Sequence, residues 1–370
     1  MQQLLLGAIV RVGNFWYFFF LATGTLGTIG LYFLLRNRSY RFKYGVLLGI
    51  LFAGLFLHFL KLAFKPYRSE LPASIRKVTF ENICAVSTLI FPWIFLWRKN
   101  KTLNCYLYFI GVVGGLAAHL YPTNALNQPV PAFDTWRFYI NHWGLIAVPV
   151  VGAATGVLKV DYKKCWTAPL FFLLIETVIL VNEIIVGKLG WIDWVDWDLS
   201  YMLDASTRNS SFVFGPDPAY QNVTGFIRIF VPKLFTQDVL GINGGVDFYW
   251  PVVWLAIPAF IYLPLFYLIL AAPFTRKDMK RDFIALKRKW RTLGTGAPEN
   301  ADTDGGADTD GDADTDGNEA AALGSDAAES VNLSSTGNGL RTEEPANPLP
   351  EPGETPSEPA EERAATDNGN

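Results

Sequence analysis

The residues of this 370-residue chain that could act as nucleophile and general base are its three cysteines and three histidines. Cys84 lies in the segment ENICAVST, and His142 lies in the segment WRFYINHWG. An imidazole that takes the proton of a thiol leaves a nucleophilic thiolate, which can attack an ester carbonyl. The two residue types therefore indicate acyl transfer through a thioester, with Cys84 as the candidate nucleophile.

Other kinds of site lack their motifs. No CxxC pair occurs, which excludes a thiolate zinc cluster, and three cysteines do not make a disulfide framework. The sequence also has no Gly-rich phosphate loop, no HExxH and no GxSxG. We therefore expect no cofactor, no metal ion and no nucleic-acid partner.

The elements that must position these side chains are membrane-spanning helices. The chain is 51% hydrophobic with a mean hydropathy of +0.21, although its acidic carboxyl-terminal part is polar. Uncharged runs of about 20 residues are long enough to cross a hydrocarbon core of about 30 Å. We predict an all-α, polytopic transmembrane helical bundle of about seven spans: residues 15–35, 44–64, 78–97, 102–121, 136–158, 165–189 and 249–272.

Charge divides the chain into three predicted domains. Residues 1–273 form the bundle, and residues 274–292 form a basic amphipathic juxtamembrane segment. Residues 293–370 hold 19 of the 34 Asp and Glu residues but only 2 of the 31 Lys and Arg residues, which predicts a disordered acidic tail.

Basic residues also predict the orientation. The loops 36–43, 98–101 and 159–164 carry four, three and three basic residues, whereas the loop 122–135 carries none. Short basic loops stay in the cytoplasm, which predicts a cell-membrane protein with its N-terminus outside and its C-terminus inside. One loop disagrees, because residues 65–77 hold four basic residues on the predicted outer side.

Ionisable and polar side chains inside the predicted spans are candidates for the site, because they are costly in hydrocarbon. His58, Cys84 and His142 each lie about six residues, or roughly 9 Å, from the outer end of their span. Glu81 and Cys84, three residues apart, are expected to share a helix face, and Glu176 and Glu183 to share another. The supporting candidates are Glu81, Asn82, Asn141, Arg137, Glu183, Glu176 and His58.

The histidine segment, residues 136–144 followed by Pro149, resembles the His-containing helix of the YwaF-like integral membrane proteins. That family has an animal relative that is a cysteine-dependent phospholipid (plasmalogen) acyltransferase, and Cys84 falls where the family has its cysteine. The resemblance covers residues 44–272. It implies a helical bundle, a phospholipid substrate, and an acyl-thioester mechanism with Cys84 as nucleophile and His142 as base. Family members carry a histidine beside the cysteine, whereas this chain has Asn82, Ile83 and Ala85 there.

Three functions follow as alternatives. The first is an integral membrane lipid acyltransferase or acyl-ester hydrolase, in which Asn82 or Asn141 stabilises the oxyanion and Glu81 or Glu183 orients the imidazole. The second is a transporter or channel whose pathway uses Glu176, Glu183, Arg137 and His142. The third is a noncatalytic membrane scaffold whose tail recruits partners. The sequence leaves the lipid, the choice between transfer and hydrolysis, and the oligomeric state open.

Overall fold

A computed structural model describes residues 8–71, 73–97, 99–190, 203, 211–216 and 221–295. All of them belong to one compact unit, 1–299. The predicted acidic tail lies outside the described residues from position 296 onward.

The described chain is helical, which confirms the predicted all-α transmembrane bundle. No strand occurs in these ranges, and the only ladder-like contact there is an isolated antiparallel bridge between Ile9 and Pro129. The helices are α1 Phe15–Leu35, α2 Tyr40–Leu60, α3 Ile83–Leu96, α4 Lys101–Leu120, α5 Phe133–Ala154, α6 Thr167–Lys188, α7 Gln221–Arg228 and α8 Ala256–Thr295.

Five helical stretches are long and apolar enough to cross a membrane: Phe15–Leu35, Tyr40–Ala63, Lys101–Leu120, Thr167–Lys188 and Val253–Trp290. Helices α3 and α5, which correspond to two further predicted spans, are not among them. α3 has 14 residues and is therefore about 21 Å long, less than a hydrocarbon core. The first turns of α5 carry Asp134, Arg137, Asn141 and His142.

Polar residues set where several helices begin. The side-chain oxygens of Asn14, Asn82 and Asn100 accept hydrogen bonds from main-chain N–H groups of the first turns of α1, α3 and α4. Such caps satisfy amide groups that have no partner within the helix. Asn82 in particular makes α3 begin at Ile83, five residues later than the predicted span, because residues Ala73–Val78 form a separate 3-10 helix.

Helix α4 lies at the centre of the bundle. It packs against α3, α5 and α6, and it is the most buried of the five candidate spans. Gly111 and Gly115, four residues apart, let α5 approach closely, as in the small-xxx-small packing of membrane helices. A Cβ atom on Gly111 would lie 2.6 Å from the carbonyl oxygen of Leu145, and one on Gly115 would lie 2.5 Å from Ile146 Cγ1.

The last helix is longer than the predicted span. α8 runs for 40 residues and includes residues 274–292, which the sequence predicts as a separate juxtamembrane segment. Asp282 in this extension accepts a hydrogen bond of 2.6 Å from the Tyr162 hydroxyl and pairs with Lys163 at 2.5 Å. The extension is thus tied to the turn between α5 and α6.

Candidate active site

Cys84 is the second residue of α3. Its carbonyl oxygen accepts a hydrogen bond of 2.8 Å from the Thr88 hydroxyl, and its Sγ lies 3.8 Å from the position of a Cβ atom on Gly114 of α4. The expectation that Glu81 and Cys84 share a helix face is wrong, because Glu81 precedes the Asn82 cap and is outside the helix.

The amino end of α3 offers main-chain N–H groups around this thiol. Ile83 N–H donates to the Ser211 hydroxyl at 3.1 Å, and Ala85 N–H donates to Asn82 Oδ1 at 2.9 Å. In the part of the chain that the structure describes, the N–H of Cys84 donates no hydrogen bond. Unpaired N–H groups at a helix amino end attract negative charge.

His142 presents one ring nitrogen as a base. Its Nδ1 lies 2.7 Å from the carbonyl oxygen of Phe138, one turn earlier in α5. Since a carbonyl can only accept, Nδ1 carries the proton and Nε2 carries the lone pair. The imidazole is therefore oriented by a main-chain carbonyl. The predicted alternatives for this role, Glu81 and Glu183, are instead paired with basic residues.

Cys84 and His142 lie on either side of two adjacent residues of α4. The thiol faces Gly114, whereas the carbonyl oxygen of His142 lies 3.0 Å from the Cβ position of Gly115. The main chain of His142 in α5 and the thiol of Cys84 in α3 therefore lie against neighbouring positions of α4. No hydrogen bond joins the thiol to the imidazole among the described residues.

The last turn of α2 holds the segment that leads into α3. His58 Nε2 donates to the carbonyl oxygen of Val78 at 3.2 Å, and the Lys61 ammonium group donates to the carbonyl oxygen of Lys77. Both side chains are buried. His58 thus supports the main chain six residues before Cys84, and it does not contact the thiol.

One ion pair and one hydrogen bond fix the same segment to α6, and a second ion pair lies within the segment. Arg76 Nη2 lies 2.8 Å from Glu183 Oε2, and Lys77 Nζ lies 2.6 Å from Glu81 Oε1. Asn182 donates to the Thr79 hydroxyl at 3.0 Å. Burial acts to raise the pKa of Glu81, but the charges of Lys77 and Arg76 outweigh it and hold that pKa below its usual value.

Two of the four basic residues in the loop 65–77, the loop that disagreed with the predicted orientation, are paired with carboxylates: Arg76 and Lys77. Neither was predicted to belong to the site. The excess of basic residues in that loop was the signal that could have identified them.

The guanidinium group of Arg137 forms its ion pair within its own helix. Its Nη2 lies 2.6 Å from Asp134 Oδ1, and Tyr67 donates to the other Asp134 oxygen at 3.1 Å. Burial, together with the Asp134 charge, raises the pKa of Tyr67 to about 12. Arg137 is therefore the partner of neither Glu176 nor Glu183.

Glu176 and Glu183 share the buried face of α6, as predicted from their spacing. Glu176 is fully buried, and within the described residues neither of its carboxylate oxygens has a hydrogen-bond partner. It stands apart from the residues around Cys84 and from the ion pairs at the end of the helix.

A cavity of about 110 Å³ lies between α2, α3 and α5. Asn141 and Thr88 are its two polar lining residues, and the latter is one turn beyond Cys84. Cys84 and His142 themselves do not line it. The other lining residues are Ile50, Leu51, Ala53, Gly54, Ile140, Trp143, Gly144 and Leu145.

The described residues contain no group of three His, Cys, Asp or Glu side chains that could hold a metal ion. Cys84 and His142 bring a thiol and an imidazole to the candidate site, and the amino end of α3 adds main-chain N–H groups.

A family model matches residues 5–235 of the chain, more than half of its length, and describes the TMEM164 family. No curated protein and no solved structure matches the chain. The matched region contains α1 to α7 with both Cys84 and His142, and the chain therefore belongs to the TMEM164 family of transmembrane proteins.

Proposed function

We propose that this protein is an integral membrane lipid acyltransferase in which Cys84 is the nucleophile and His142 is the general base. The proposal depends on one observation. Cys84 of α3 and His142 of α5 lie against adjacent glycines of α4, the first through its thiol and the second through its main-chain carbonyl.

The chemistry has two steps. His142 Nε2 takes the thiol proton, and Cys84 Sγ attacks the carbonyl carbon of a phospholipid acyl ester. The ester C–O bond breaks, the leaving alkoxide takes the proton from the imidazolium, and the acyl group remains on sulfur as a thioester. A second hydroxyl then gives its proton to Nε2 and attacks the thioester, which releases the thiolate.

Burial makes a base necessary, because apolar surroundings favour the neutral thiol over the thiolate. The Nδ1 hydrogen bond to Phe138 supports the role of His142, since it leaves Nε2 as the proton acceptor. The N–H of Cys84, at the amino end of α3, is available to the oxyanion of the tetrahedral intermediate. Asn82 contributes indirectly, because its side-chain oxygen caps that helix.

The test is a covalent adduct. The purified protein is incubated with phospholipid that carries a labelled acyl chain, and the peptides are analysed by mass spectrometry. We expect a hydroxylamine-sensitive acyl group on Cys84, absent in Cys84→Ala, and transfer to a lysolipid reduced at least about 100-fold in both Cys84→Ala and His142→Ala. Cys105→Ala and Cys165→Ala are matched controls, because both thiols are buried elsewhere. Full turnover in Cys84→Ala would eliminate the mechanism.

A second function is favoured by Glu176, a fully buried carboxyl group whose oxygens have no partner in the described ranges. Such a group inside a membrane is typical of proton or solute pathways. Flux into liposomes that is abolished by Glu176→Gln and unchanged by Cys84→Ala would support a transporter. Acyl transfer that is unaffected by Glu176→Gln would support the enzyme.

The location follows from the same reasoning. We propose that the protein lies in the cell membrane with its N-terminus outside and its C-terminus in the cytoplasm. The loops 36–43, 98–101 and 159–164 support this, because they carry four, three and three basic residues and short basic loops stay in the cytoplasm. A membrane-impermeant protease should cleave at the C-terminus only after the membrane is opened. Cleavage in intact cells would reverse the orientation.

A further inference from the structure

We propose that the cavity between α2, α3 and α5 binds a lipid alcohol, whose hydroxyl group donates a hydrogen bond to Asn141 and whose hydrocarbon fills the remaining space. The cavity is a separate feature from the Cys84 thiol and the His142 imidazole, neither of which lines it.

The polar end of the proposed ligand is indicated by Asn141. This residue is 7% exposed, and within the described residues its Oδ1 accepts no hydrogen bond. The atom lies 3.7 Å from the Cβ position of Gly54, and both residues line the cavity. A buried acceptor without a partner is unfavourable, and a ligand that supplies a donor removes this cost.

The apolar part of the ligand is indicated by the lining. Apart from Asn141 and Thr88 the lining side chains are apolar, and the glycines Gly54 and Gly144 leave the space open. The volume of 110 Å³ is somewhat below that of an engineered apolar cavity of about 150 Å³ that binds benzene. The cavity therefore fits a few carbon atoms beside a hydroxyl group, and it does not fit a whole acyl chain.

Access is from the hydrocarbon of the membrane. Ala53 and Ile140 line the cavity and are both exposed on the outer surface of the bundle. No charged side chain lines it, so nothing there would recognise a phosphate group. A hydroxyl group meets the requirement of Asn141 Oδ1, whereas an ester carbonyl or a phosphodiester has no donor.

The cavity also has a place in the proposed reaction. Thr88 is bonded to the carbonyl of Cys84, and Asn141 precedes His142 in α5. Under the proposed function, the bound alcohol is the acyl acceptor. This assignment alone rests on the proposed function. Asn141 then acts as a binding residue that favours transfer over hydrolysis.

The experiment uses the full chain in lipid nanodiscs and two diazirine-bearing probes, a long-chain glycerol lipid with one free hydroxyl and its O-methyl ether. We expect photolabelling on the peptides around Gly54 and Asn141, at least about fivefold stronger for the alcohol, as expected for one buried hydrogen bond. Asn141→Leu should remove the preference for the alcohol. Gly54→Leu should block both probes, whereas Gly49→Leu, which has open space on the same helix, should leave labelling unchanged.

Equal labelling by the alcohol and its ether in the wild-type protein would overturn the proposal, and so would labelling that Gly54→Leu leaves intact. The comparison of the two probes needs no variant, so it stands if Asn141→Leu does not fold. A neutral monoacyl lipid and a lysophospholipid as alternative probes distinguish the source of the hydroxyl. Labelling that persists in Cys84→Ala separates this site from the proposed acyl transfer.

Discussion

The contact between α4 and α5 gives a sharp prediction, because two glycines of α4, three residues apart, differ in the space beside them. An added Cβ at Gly111 would lie 2.6 Å from the carbonyl oxygen of Leu145 and 3.0 Å from Phe91 Cε2. The first of these is a main-chain atom, so a rotamer change cannot relieve the contact. At Gly114 the nearest atom is Cys84 Sγ at 3.8 Å, which is an ordinary contact.

The expected change in the free energy of unfolding follows from how far each substitution must displace its neighbours. Carbon and oxygen atoms in contact lie about 3.3 Å apart or more, so Gly111→Ala must move α5 by about 0.7 Å. Overpacking of this kind costs about 1–3 kcal/mol. We expect Gly111→Ala to lower the free energy of unfolding by about 2 kcal/mol, and Gly114→Ala to leave it unchanged or raise it by up to about 1 kcal/mol, because alanine is the better helix former.

The assay is reversible unfolding of the purified protein in mixed detergent micelles, followed by tryptophan fluorescence. Gly111→Ala should shift the midpoint toward lower denaturant, while the midpoint of Gly114→Ala should equal that of the wild type or lie slightly higher. Two results would refute the reasoning: a Gly111→Ala protein as stable as the wild type, or a Gly114→Ala protein that loses as much stability as Gly111→Ala.

Three further predictions concern the ion pairs and the helix extension. Arg76→Ala leaves the buried Glu183 carboxylate without its Arg76 partner and should lower the free energy of unfolding by about 3 kcal/mol in the same assay. Adding Glu183→Gln to Arg76→Ala should restore most of the lost stability. A double variant that recovers no stability would contradict the pairing. Because the folded pKa of Glu81 is below its usual value, the stability that this carboxylate contributes is present above a pH of about 4.5 and is lost as the pH falls through the folded pKa. Glu81→Gln should therefore flatten the acid limb of a stability profile, whereas an identical limb would exclude Glu81 as its source. Asp282→Asn removes the charge that binds Lys163 and weakens the hydrogen bond to Tyr162. Amide hydrogen exchange should therefore accelerate at residues 276–290 and stay unchanged at residues 256–270. Uniform exchange along α8 would show that these contacts do not hold the extension in place.

The hydropathy of the sequence was sufficient for the helical bundle, because a spanning segment must satisfy its own backbone hydrogen bonds and must be apolar over its length. It was less accurate where polar residues decide a boundary. The predicted span 78–97 began too early because Asn82 caps α3. Hydropathy does not distinguish a polar residue that caps a helix from any other polar residue. The close approach at Gly111 and Gly115 was visible as a GxxxG spacing in the sequence.

By itself, the sequence determined that the chain is a helical membrane protein, that Glu176 and Glu183 share a helix face, and that a cysteine and a histidine are its best candidates for covalent chemistry. These depend on residue type and on the regular spacing along one helix. Only the tertiary structure decided that Arg76 pairs with Glu183, because the two residues come from separate elements. It also decided that Asn141 lines a cavity between three helices. Those facts depend on how separate helices pack and on the three-dimensional path of the segment before α3, which no spacing along a single chain can specify.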